Sequence, residues 1–174
     1  MNAALRLSWY KFKHHYMDFV KVLLGIVAFE GLILYIQDKG FLKDFETTRM
    51  TLFLLLFSTS LLIVVQNSIY ISKERSVLNR DFFSGLSRSA FALASMGIHA
   101  FFAVLETIVF ILSYSVFSKF FDKEFPDAGH IFGSYRWEVG ITVLLVFLAS
   151  HFIALFISAL VFDLDGVGMP QLRD

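Results

Sequence analysis

AFALASMGIHAFFAVLETIVFILSYSVF, residues 90–117, runs for 28 positions with one carboxylate and no Lys or Arg. A helix needs about 20 apolar residues to cross about 30 Å of hydrocarbon, so this stretch can span a bilayer with residues to spare. A barrel strand would instead alternate over segments of about ten residues. The polar letters inside the run are themselves ordered. His99, Glu106 and Ser113 recur every seven residues, with Ser95 one turn before His99, which places all four on one face of a helix.

That face admits two uses. A carboxylate near the bilayer centre costs about 2.5–3.5 kcal/mol on insertion scales unless it is paired, protonated or facing water. Glu106 lies near the centre of its run and Glu30 well inside another, so neither is there by hydrophobic default. Glu30, Ser95, His99, Glu106 and Ser113 read either as the lining of a pathway or proton relay, or as interhelical hydrogen bonds that fix packing. Glu30 could meet His99 or His151, and the sequence selects neither. Ala90, Ala94, Ser95, Gly97, Ala100 and Ala103 crowd the first half of the run, where small side chains let another helix approach closely.

The rest of the 174-residue chain has the same character: 57% of residues are hydrophobic, 17% are charged, and the mean hydropathy is +0.68. Soluble domains carry about a quarter charged residues. The chain reads as an all-α membrane protein with about four transmembrane helices, at residues 18–37, 50–71, 90–117 and 139–162. In residues 1–17, Leu5, Trp9, Phe12 and Tyr16 share a helical face while Arg6, Lys11, Lys13, His14 and His15 fall largely elsewhere. This pattern suits an amphipathic helix in the headgroup region. Residues 72–89 form a polar loop between the second and third spans, and residues 163–174 a tail, all within a single membrane domain. Placing the N-terminus in the cytoplasm leaves nine Lys and Arg inside against six outside, the sense of the positive-inside rule.

Several chemistries are excluded or disfavoured. There is no Cys, so no disulfide or thiolate site. The formal net charge is +0, which leaves no bulk electrostatic case for nucleic acid. No HExxH or other ligand-like His spacing points to a metal. No GxxxxGK[ST] loop is present to cradle ATP phosphates, so the chain holds no cofactor of its own.

The loop carries the most specific letters. Asn67-Ser68, then Glu74-Arg75, then Arg80-Asp81, then Gly85-Leu86-Ser87 lead through Phe91 into the third span. This arrangement resembles the permease domain of ABC type-2 exporters, the group that includes the ABCG-like (White-type) transporters and their bacterial relatives. The resemblance implies that residues 1–17 are the elbow helix and that the loop is the coupling helix. Glu74, Arg75, Arg80 and Asp81 would then contact an ATP-binding domain or subunit, which carries ATP and Mg²⁺. It further implies a second permease copy, alternating access, and a multi-pass protein of the bacterial inner membrane with a cytoplasmic N-terminus. Asp81 stands where the family usually has Glu, and Phe91 where it often has Tyr. The family's domain has six spans, of which four are expected here. Two readings from other classes stay open: a four-helix membrane scaffold, and a proton-coupled carrier using Glu30, His99 and Glu106.

Overall fold

In lipid, backbone N–H and C=O groups must bond within the segment that crosses, which leaves helices as the solution for one long apolar run after another. The computed structural model describes residues 2–37, 45–68, 87–122 and 133–167, together with positions 80, 83, 85 and 131; side chains in the first and last helices are described from residue 16 and up to residue 161. It contains α1 (Asn2–Ile36), α2 (Phe45–Asn67), α3 (Arg88–Phe120) and α4 (Tyr135–Val167), and no strand among the described residues. Each holds a segment long and apolar enough to span: Tyr16–Ile36, Phe45–Asn67, Arg88–Phe120 and Tyr135–Val161.

The helices begin and end somewhat differently from the sequence expectation. No break separates an interfacial helix at 1–17 from the first span, because the backbone continues as one 35-residue helix, about 52 Å long at 1.5 Å per residue. α2 starts at Phe45, with Glu46 in its first turn, where a carboxylate complements the positive end of the helix dipole. α4 starts at Tyr135, with Trp137 in its first turn and 70% exposed. α3 ends where Asp122 takes a positive φ of 54°, a left-handed conformation that cannot continue a right-handed helix.

Directions follow from side-chain pairs. Between α1 and α3, Phe19 meets Phe102, Glu30 meets Ser113, Gly31 meets the Phe117 ring and Tyr35 meets Phe121. Residue numbers rise together, so these helices are parallel. Between α3 and α4, His99 and Glu106 meet His151, Phe110 meets Phe147, and Ile111 meets Gly140. There the numbers move oppositely, so the pair is antiparallel. The chain from Gln37 to Phe45 reaches at most about 29 Å, less than the roughly 34 Å length of α2, so α2 must run back along α1. α1 packs on α2 and α3, and α4 packs on α2 and α3. The fold is therefore two helical hairpins side by side. α2 and α3, though consecutive, lie on a diagonal.

Polarity inside this bundle is reversed from that of a soluble protein. Large apolar side chains such as Leu32, Phe53, Leu61, Leu93, Leu112 and Leu145 are more than half exposed, while Glu30, Thr59, Glu106, His151 and Ser158 are fully buried. Ile26, Leu34, Leu55, Ile63, Val143 and Phe147 form the apolar filling between them. Phe110 meets Phe147 edge to face at 5.7 Å, the arrangement favoured by ring quadrupoles. Gly25 brings α1 against α2: an added Cβ would stand 2.6 Å from Leu62 Cδ2. Phe147→Ala should destabilise by about 3–5 kcal/mol, whereas Phe53→Ala, exposed on the bundle surface, should be near neutral. Thermal unfolding in detergent checks the contrast: a large drop for the first and almost none for the second.

Candidate functional site

Hydroxyls are the commonest polar groups in the four spans, and many are satisfied on their own helix. Thr51, Ser58 and Thr59 donate to the carbonyls of Thr47, Leu54 and Leu55 at 2.8, 2.6 and 2.7 Å. Thr107, Ser115 and Ser150 do the same toward Ala103, Ile111 and Val146. Such back-bonding lets a hydroxyl sit in an apolar setting without a partner helix. Other side chains bond across helices, and among the described residues two such places stand out.

The first lies between α1 and α3. Glu30 is 0% exposed, and its Oε2 accepts a hydrogen bond from Ser113 Oγ. Ser113 Oγ also lies 2.8 Å from the Val109 carbonyl. Oε1 of Glu30 has no hydrogen-bond partner among the described residues. The open question of Glu30's partner is thus answered by Ser113 and by neither histidine.

The second lies between α3 and α4. His151 Nε2 is 2.8 Å from Glu106 Oε2, and His151 Nδ1 is 3.0 Å from His99 Nδ1. All three residues are at most 1% exposed. Ser95, one turn from His99, is buried with its Oγ unbonded among the described residues, as is Oε1 of Glu106. His99 and Glu106 are therefore joined, but through a residue on another helix. That residue, His151, was missed as a site residue. Its signal was the polar pair Ser150-His151 interrupting the apolar letters of the fourth span.

One stripe serves two neighbours for a geometric reason. Seven residues drift by about 20° relative to two full turns of a straight helix. From His99 to Ser113 the stripe therefore rotates by about 40°, and its far end leaves α4 for α1. Among the described residues no group of three or more His, Cys, Asp or Glu has a metal-holding arrangement. What the geometry can do is pin α3 to both neighbours and hold exchangeable protons away from water.

At the membrane edge, Lys21 pairs with Asp18 at 2.9 Å and both remain partly exposed, so the ammonium stays at the interface and the bond is worth little. Of the loop residues, Arg80 is exposed. Glu74, Arg75 and Asp81 lie outside the described residues. Loss of a buried carboxylate's partner costs about 1–3 kcal/mol, so Ser113→Ala should lower thermal stability in detergent measurably. Ser115→Ala, which removes only a bond to its own helix, should change it far less.

Near the ends of α3 and α4 opposite the 66–88 segment, a cavity of about 290 Å³ lies among α2, α3 and α4, bordered by Leu52, Leu55, Tyr114, Tyr135, Glu138 and Thr142. It is separate from both polar clusters. No curated protein and no solved structure matches the chain. The family model described as ABC-2 type transporter matches residues 6–170, a range that takes in all four spans and both polar clusters. The chain belongs to the ABC-2 type transporter family, and is the membrane-embedded, multi-pass permease component of such a transporter.

Proposed function

We propose that this permease drives export, with energy delivered by ATP hydrolysis on a partner nucleotide-binding domain and received at residues 66–88. The observation that carries the reading is topological. α2 and α3 belong to different hairpins and stand on a diagonal of the bundle, so a displacement of their connecting segment acts on both hairpins at once. Glu74, Arg75, Arg80 and Asp81 supply charges of both signs in that segment, suited to a motor surface that it grips differently in two states. A partner shifts an equilibrium only by its difference in affinity for the two states.

The same reading places the N-terminus and residues 66–88 in the cytoplasm, the membrane as the inner membrane of a bacterium, and a second permease copy across a shared pathway. The excess of Lys and Arg on that side supports the orientation. Since the chain has no Cys, single-cysteine labelling is clean. Ser76→Cys should react with a membrane-impermeant maleimide only in inverted vesicles, and labelling of intact cells would reverse the assigned orientation.

Reversing the pair with Glu74→Lys and Arg75→Glu should weaken capture of the ATP-binding partner about tenfold, the equivalent of about 1.4 kcal/mol, and lower permease-stimulated ATP hydrolysis in proportion. Unchanged capture and hydrolysis would remove these residues from the coupling surface.

A further inference from the structure

The bonds joining His99, His151 and Glu106 do more than pin helices, because His151 uses both ring nitrogens. Each of the two contacts holds one proton. With both imidazoles neutral and Glu106 ionised, only one arrangement satisfies both: His151 Nε2–H donates to Glu106, and His99 Nδ1–H donates to His151 Nδ1. The two tautomers are thereby fixed against each other.

One added proton moves the whole chain. It bonds to His99 Nε2; the His99 Nδ1–H bond breaks as a His151 Nδ1–H bond forms; the His151 Nε2–H bond breaks as a Glu106 O–H bond forms. Every transfer breaks one bond to hydrogen and makes one. At the end both imidazoles are neutral again with reversed tautomers, and the net charge of the cluster has gone from −1 to 0. We propose that His99, His151 and Glu106 form an internal proton-binding site in which a proton accepted at His99 neutralises Glu106 through His151.

Three observations support a relay over a static clamp. The donor–acceptor distances of 3.0 and 2.8 Å are both within transfer range. The chain is sealed from outside, each member being at most 1% exposed. Ser95, one turn before His99 on the same face, is a further buried polar group whose hydroxyl is unbonded among the described residues.

Near the His99 end of the cluster, where Phe19 meets Phe102, α1 presents Tyr16, Asp18 and Lys21, the last two paired with each other at 2.9 Å and partly exposed. On α1 the buried titratable group is Glu30, which is bonded to Ser113. On α2 the described titratable groups are Glu46 and Arg49, near the helix start. On α3 the remaining ones are Arg88, Tyr114 and Lys119, and on α4 Tyr135, Arg136 and Glu138, all distant along their helices from residues 99, 106 and 151. The site does not depend on which substrate is carried or on how ATP is used.

Infrared difference spectroscopy during a pH titration of the full chain in lipid nanodiscs tests it. In the wild type, the carboxylic-acid C=O component that Glu106→Gln removes and the imidazole ring component that His99→Gln removes should change together with a single midpoint, against the background of the other carboxyl and imidazole groups. Separate midpoints for these two components, or a carboxyl band in Glu106→Gln identical to that of the wild type, overturn the proposal. Glu30→Gln should leave the Glu106 component in place. His151→Gln keeps polar ends at both contacts but cannot pass a proton, so the Glu106 and His99 components should lose their common midpoint. Persistence of that common midpoint in His151→Gln also overturns it.

Discussion

A hydroxyl, carboxyl or imidazole among lipid chains has no water to bond, so it must find its partner inside the protein. In this chain two solutions divide the work. Thr51, Ser58, Thr59, Thr107, Ser115 and Ser150 bond back to their own helix. Glu30, His99, Glu106 and His151 cannot reach a carbonyl one turn away in that manner, and are instead bonded across helices. The first group sets no helix position. The second sets several, and it fixes which helices are neighbours as surely as the apolar filling does.

Helix number and type were legible in the sequence because bilayer thickness dictates them: any run as apolar as residues 90–117 has few alternatives. The family was legible in the loop letters from Asn67 to Phe91. The face shared by Ser95, His99, Glu106 and Ser113 was also legible, since helical periodicity alone produces it. Partners were not. Whether Glu30 meets Ser113 or a histidine depends on which helices adjoin and on their axial offset, and neither is local to any segment. His151 escaped for the same reason: one imidazole in an apolar run gains meaning only when α4 is laid antiparallel to α3. Helix ends were blurred because residues such as Glu46 and Trp137 suit both a first helical turn and an interface, and the letters do not decide between them.

The two hairpins are held together unequally. α3 is tied to α1 through Glu30 and Ser113, and to α4 through His151. Along the middle of α2, by contrast, Thr51, Ser58 and Thr59 spend their protons on α2 itself, and its core-facing residues Leu55 and Ile63 meet their neighbours through dispersion. Apolar burial has no preferred direction. In mechanical terms, α1, α3 and α4 form a braced frame and α2 a rod sliding in a greased bearing: the helix that leads into residues 66–88 is the one whose mid-span resists axial travel least.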